Sequence, residues 1–258
     1  MTPLDGLLIA LAGMAAGLIN TVVGSGTLIT FPTLLALGYP PVLANISNNI
    51  GLVPGSLSGA IGYRRELAGQ RRRLLTLGTA SLLGSVVGAV LLLLLPDSAF
   101  EAVVPVLIAL GCVMVLVQPR LQAWLASRRT TGALPHGSAG VWGLVALTGV
   151  YGGYFGAAQG VLLIAVLGIG LDEQLQRVNA AKNVLATLVN GVAAVVFIVA
   201  AWLSYGQAAI DWRVVALIAA GSAVGGVLGA RVGRRIPAPF FRGLVVAVGV
   251  TAIVSLLS

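Results

Sequence analysis

The sequence predicts an all-α polytopic membrane protein made of two inverted-topology repeats, each with a broken or re-entrant first helix pair followed by three transmembrane helices. Composition points there first: of 258 residues, 58% are hydrophobic and 9% charged, and the mean hydropathy is +1.03. A soluble domain carries about 25% charged residues, so the polar surface here is too small to cover a globule in water. Long apolar stretches and an ordered set of motifs that recurs once supply the rest. The net charge of +8 comes from Arg residues lying between hydrophobic segments, with no aromatic–basic interleaving. It therefore reads as orientation in a bilayer and not as a nucleic-acid surface.

In chain order, the apolar stretches run roughly over Gly6–Gly38, Val42–Tyr63, Leu74–Leu95, Phe100–Val117, Ala139–Leu171, Asn179–Tyr205, Trp212–Val232 and Phe240–Leu257. Most are long enough to cross a hydrocarbon core of about 30 Å at 1.5 Å per residue. The segment ahead of the first, Met1–Gly6, has no positive charge, so a cleaved signal peptide is disfavoured and the first helix is expected to stay. No lipidation motif or organelle address is visible, which makes the plasma membrane (the inner membrane of a Gram-negative source) the expected location. The single cysteine, Cys112, lies inside an apolar run; it can form no disulfide within the chain and reads as a packed thiol.

The first and fifth stretches are longer than the others and each is interrupted by a Gly-rich polar segment, Asn20–Thr27 and Gly152–Gly160. An interruption frees backbone N–H and C=O groups that lipid cannot satisfy, so it must be buried in protein or line a polar cavity. The repeat is visible around these two segments. Gly13, Gly17 and Gly24 match Gly149, Gly153 and Gly160, and Asn45-x-x-x-Asn49 matches Asn179-x-x-x-Asn183. Leu83-Gly-Ser-Val-Val-Gly-Ala with Pro96 and Phe100 matches Val224-Gly-Gly-Val-Leu-Gly-Ala with Pro237 and Phe241. This sets a first repeat at 1–118, a basic cytoplasmic linker at 119–138 and a second repeat at 139–258. The linker holds Pro119, Arg128, Arg129, Pro135 and a solvated His136.

Charge decides the topology. If all eight stretches crossed, the fifteen basic residues would divide nine to six between the two sides, a poor fit to the positive-inside rule. If stretches one and five instead enter and return, Arg213 alone falls outside. Both termini are then outside, the basic loops are cytoplasmic, and Trp202, Tyr205 and Trp212 form an outer aromatic belt. Each half then makes an odd number of crossings, so the second is inverted relative to the first, the usual construction of secondary transporters. Gly84, Gly88, Gly225 and Gly229, at small-xxx-small spacing, are expected to serve close helix packing.

The seven acidic residues, Asp5, Glu66, Asp97, Glu101, Asp172, Glu173 and Asp211, all fall at helix ends or in loops. A buried carboxylate relay or cation site is therefore not expected. No His/Cys/Asp cluster has metal-ligand spacing, no cofactor is expected, and Ser25 lacks a partner base, which disfavours an intramembrane enzyme. What remains is donor-rich and slightly positive. Freed N–H groups near Gly24–Thr27 and Gly156–Gly160, at half-helix N-termini, suit an anion. Asn20, Thr21, Ser25, Thr27, Asn45, Asn48, Asn49, Gln159, Asn179, Asn183 and Asn190 can add hydrogen bonds. Four-residue spacing puts Asn45 and Asn49 on one helix face, and Asn179 and Asn183 on another. Lys182, the only lysine, takes the place of Asn48 in the second motif. Two readings of it stand side by side: an anchor that snorkels to the interface, or a group that faces the substrate.

At these residues the chain resembles the sulfite exporter TauE/SafE family, over nearly its whole length. The resemblance rests on Gly13-x-x-x-Gly17-Leu-Ile-Asn-x-x-x-Gly24-Ser-Gly-Thr with Phe31-Pro32, on Leu43-Ala-Asn-x-Ser-Asn-Asn49, and on the recurrence of the set after a basic linker. It implies movement of small sulfur-containing or organic anions across the plasma membrane, sulfite and sulfoacetate among them, mostly outward. Carried over residue by residue, it implies that Asn20, Gly24, Ser25, Gly26, Thr27, Asn45 and Asn49 line half the pathway. Gly153, Gly156, Gln159, Gly160, Asn179, Lys182 and Asn183 would line the other half.

The resulting expectation is a secondary transporter of a small anion, with lipid as its surroundings, no nucleic-acid partner and no metal. A passive channel or uniporter, and a non-transporting membrane assembly partner, are the alternatives. The sequence sets no oligomeric state, with a homodimer among the options.

Overall fold

A computed structural model of the chain describes residues 1–127, 138–205, 208–232 and 238–257. Arg128, Arg129, Pro135 and His136 of the expected linker lie outside the described residues, as do Arg234, Arg235 and Pro237. Ten helices are described: α1 (Pro3–Val22), α2 (Thr27–Ala36), α3 (Pro41–Gly62), α4 (Arg71–Leu94), α5 (Asp97–Ser127), α6 (Ala139–Tyr154), α7 (Gln159–Gly170), α8 (Leu175–Trp202), α9 (Trp212–Val232) and α10 (Ala238–Leu257). No strand occurs among the described residues.

Local chemistry explains where several of these begin. Thr2 and Asp5 form a reciprocal capping box at the start of α1, with Pro3 in the first turn. Pro41 opens α3, and the Ser138 hydroxyl accepts the Val141 N–H to open α6. Both apolar stretches that carried interruptions are broken as expected, between α1 and α2 and between α6 and α7. Helix α5 continues to Ser127, well into the segment assigned to the linker.

Five helices among the described residues, α1, α4, α5, α8 and α9, are long and apolar enough to cross a bilayer, and the chain is a multi-pass helical membrane protein. Helix α3 has the length but not the apolarity, because it carries Asn45, Ser47, Asn48, Asn49 and Ser56. All five are buried, which is the condition under which a polar helix can lie at membrane depth.

The helices assemble into two three-helix bundles. In one, α9 packs along α1 and α3; in the other, α4 packs along α6 and α8; α3 against α8 forms the seam between them. Around this centre α2 packs on α10, α7 on α5, and α5 on α10. Each major contact thus has a counterpart when α1–α5 are exchanged for α6–α10. Glycine makes the closest of these contacts. In the α1–α9 pair, Gly13 and Gly17 abut the backbone of Ile218 and Ser222, while Gly225 and Gly229 abut Met14 and Leu18. In the α4–α6 pair, Gly84 and Gly88 abut Ala146 and Val150, while Gly149 and Gly153 abut Ser81 and Ser85. Lipid tails are as apolar as the side chains they would replace, so close van der Waals approach carries the association.

This packing predicts opposite outcomes for two glycine substitutions. A Cβ on Gly17 would lie 2.8 Å from the Ser222 Cα, whereas a Cβ on Gly191 in α8 meets nothing within 4 Å. Gly17→Ala is expected to destabilise by about 1–3 kcal/mol through overpacking, and Gly191→Ala to be neutral or stabilising by up to about 1 kcal/mol. Thermal unfolding of the purified variants in detergent measures both. Equal midpoints would mean that α1 and α9 are not in backbone contact.

Candidate functional site

The two helix breaks meet. Gly24, at φ +91°, turns the chain out of α1, and Gly156, at φ +78°, does the same after α6. The Gly160 N–H donates to the Gly24 carbonyl at 3.0 Å, and a Cβ on Gly24 would lie 2.5 Å from the Gly160 Cα. Only glycine permits that approach at either position. Ala158, between Gly156 and Gly160, holds a left-handed φ of +56°, a conformation that costs a non-glycine residue about 1–2 kcal/mol. Backbone hydrogen bonding resumes at Leu28 and Ile29 on the α2 side and at Gln159 and Val161 on the α7 side. The N–H groups of Ser25, Gly26 and Thr27, and of Ala157 and Ala158, lie outside that ladder, at the positive ends of α2 and α7.

The carbonyl ends of α1 and α6 are capped across the molecule. From α8, the Lys182 Nζ donates to the Asn20 carbonyl at 3.0 Å and to the Thr21 carbonyl at 3.3 Å. Asn183 Nδ2 adds a donor to Thr21 at 3.4 Å. From α3, Asn45 Nδ2 donates to the Tyr154 carbonyl at the end of α6, at 2.9 Å. Each Asn-motif helix therefore closes the broken helix of the other half. Lys182 is fully buried and its ammonium is held by the α1 carbonyls, unlike a side chain that snorkels to the interface. No carboxylate pairs with it among the described residues.

Several buried polar atoms near the breaks lack a partner among the described residues: Ser25 Oγ, Asn45 Oδ1, Asn49 Oδ1, Gln159 Nε2 and Asn179 Oδ1. Buried polar groups are almost always hydrogen-bonded, so these orphans have capacity to receive a polar group. For Asn45 the amide orientation follows from its bond to Tyr154, which leaves the oxygen as the open group.

Other expected residues are placed differently. Thr27 Oγ1 accepts from Asn48 Nδ2 at 3.5 Å, and the Asn48 oxygen in turn accepts from the Thr30 hydroxyl. Asn48 is thereby fully engaged within its own half, unlike its counterpart Lys182. Asn20 Nδ2 donates to Ser56 Oγ, as does Asn190 Nδ2, each at 3.1 Å. Gly26 fits beside the Ala16 carbonyl. Gly153 faces Ser85 of α4 and serves packing. Asn179 lines a separate cavity of about 160 Å³ with Val22, Tyr63, Gln122, Ile164 and Leu175.

Two arrangements were not foreseen from the sequence. Gln118 of α5 is buried and donates to the Val23 carbonyl at 3.0 Å, a third cap on the first break. Phe31, Phe100 and Phe155 meet edge to face, Phe31 and Phe155 with centroids 5.1 Å apart, and wall one side of the second break.

A family model described as "Sulfite exporter TauE/SafE" matches residues 9–256, which takes in both breaks and both Asn motifs. The chain belongs to the sulfite exporter TauE/SafE family. A probable membrane transporter protein of Haemophilus influenzae is 28% identical over 221 residues, 85% of this chain and 81% of that protein. A second, from Sinorhizobium sp, is 26% identical over 254 residues, 96% of this chain and 90% of that protein. As a TauE/SafE member the chain is a membrane transporter that handles a small-molecule substrate in a lipid environment.

In this TauE/SafE protein an ionic cluster closes one end of the seam. Glu173, just before α8, sits 2.5 Å from Arg177 Nε and 3.6 Å from Arg73 Nη1 at the start of α4. Arg177 Nη2 donates to the Ala68 carbonyl at 3.0 Å, and Gln70 Nε2 donates to the Arg177 carbonyl at 3.2 Å. The α3–α4 connection and the start of α8 are thus held together beside the cavity that contains Asn179. Glu173→Gln is expected to loosen this end. In a Cys112→Ala background, a cysteine placed at Asn179 should then react several-fold faster with a membrane-impermeant maleimide. Unchanged labelling would show that the cluster does not control access to the cavity.

Proposed function

We propose that the protein is a secondary transporter that exports a small oxyanion, sulfite or an organosulfonate such as sulfoacetate, across the plasma membrane by alternating access. The observation that carries the reading is the Lys182 ammonium, buried without a carboxylate where the two helix breaks meet. A buried cation without a counter-ion is unfavourable unless hydrogen-bonded and matched by an incoming negative charge. The orphaned Ser25, Gln159 and N–H donors at the positive ends of α2 and α7 suit oxyanion oxygens. Asn45 and Asn49 oxygens can accept from a substrate that itself carries a proton, such as bisulfite.

In this proposal residues 1–118 and 139–258 are inverted halves, the basic loops are cytoplasmic and both termini are outside. Movement of the α1–α3–α9 bundle against the α4–α6–α8 bundle, across the α3–α8 seam, would expose the site to each side in turn. The substrate-lining residues are those of the two breaks and two Asn motifs, without Gly153.

Flux into proteoliposomes tests this, with sulfite, sulfoacetate, sulfate and chloride compared. Wild type is expected to show saturable, counterflow-competent flux of one oxyanion. Lys182→Met and Asn183→Ala, still folded, should lower kcat/KM by at least about tenfold, since a hydrogen bond to a charged group contributes about 1.5–3 kcal/mol. Flux without saturation would favour a pore. No flux of any anion, with all variants folded, would favour the assembly-partner reading instead.

A further inference from the structure

The C-terminal end of a broken helix is a cation site in waiting. Its last carbonyls have no intrahelical donors and carry the negative end of the helix dipole. In transporters with discontinuous helices, such ends are where coupling sodium ions or protons are held. Here α1 ends at Val22, and the carbonyls of Asn20 and Thr21 converge on a single positive atom, Lys182 Nζ, at 3.0 and 3.3 Å. The side chain that delivers it is wholly buried and runs past Gly160, where a Cβ would come 3.0 Å from its Cδ. No group of three His, Cys, Asp or Glu among the described residues could hold a metal ion instead.

We infer that the Lys182 ammonium fills, as a tethered cation, the carbonyl nest at the end of α1 that a coupling metal ion would otherwise occupy, so that anion movement draws on neither sodium nor potassium. Two of its three N–H donors hold α1. The third has no partner among the described residues and, in this reading, is left for the anion. One side chain of the second half thus bridges the broken helix of the first half to the anion. Among the described residues the opposite nest, at the end of α6, holds the neutral amide of Asn45, and Asn48 at the position matching Lys182 is engaged by Thr27 and Thr30. The charge is therefore placed once.

The flux arm of the test rests on the transport reading above; the binding arm does not. In proteoliposomes, replacing sodium and potassium with N-methylglucamine is expected to leave wild-type flux within about twofold. A loss of tenfold or more would overturn the inference. In detergent, purified Lys182→Ala is expected to melt below wild type and to regain several degrees on titration with ammonium chloride. N-methylglucamine chloride should have no effect, and neither salt should shift Lys182→Met, whose side chain fills the space. Should Lys182→Ala not fold, Lys182→Asn, which copies Asn48, takes its place in the titration. Absence of any ammonium response also overturns the inference. A clear response in the variant, together with no anion flux in wild type, would leave the tethered cation standing and remove the transport reading.

Discussion

A bilayer offers no hydrogen bonds, so a helix interrupted at membrane depth must find every missing partner inside the protein. In this chain the partners come from the opposite half. Lys182 and Asn183 close the end of α1, Asn45 closes the end of α6, and Gly160 donates to Gly24 where the breaks touch. From this reciprocity follow the polar character of α3, the burial of its Asn residues, and the close α3–α8 seam. The glycine contacts of α1 with α9 and of α4 with α6 then bring each broken helix near enough for its cap to reach.

Much of this was legible in the sequence because glycine and asparagine are conspicuous in an apolar background. The breaks at Gly24 and Gly156 and the two Asn faces stand out for that reason. So do the small-residue stripes of α4 and α9. What could not be read were properties set by distant segments. Lys182 lies near the start of a helix, where a lysine ordinarily reaches the interface; here it is buried and bonded to the carbonyls at the end of α1. Gly153 and Gly156 look equivalent in a Gly-rich run, yet one meets Ser85 and the other turns the chain. Phe31 and Phe100 stand in recurring motifs, yet nothing in the sequence says that their rings meet Phe155. Gln118 stood next to a proline at the edge of an apparent linker, and only the continuation of α5 to Ser127 places it inside.

The two polar faces are alike in sequence and unlike in chemistry. On α3 the fourth residue of the motif, Asn48, bonds two hydroxyls of α2; on α8 the same position, Lys182, carries a charge that reaches α1. The helix contacts around α3 and α8 correspond, and an amide on one against an ammonium on the other makes the two sides unequal.

The interleaving of α1 with α9 also has a consequence for biosynthesis. Roughly 190 residues separate the end of α1 from the start of α9; at about 5–20 residues per second, translation of that interval lasts on the order of 10–40 s. During it α1 has reached the membrane without its glycine-matched neighbour and, until Lys182 is made, without the lysine that closes its end. The nascent first half is thus a set of inserted but unfinished helices, and the bundle around α1 is completed only after α9 has been made.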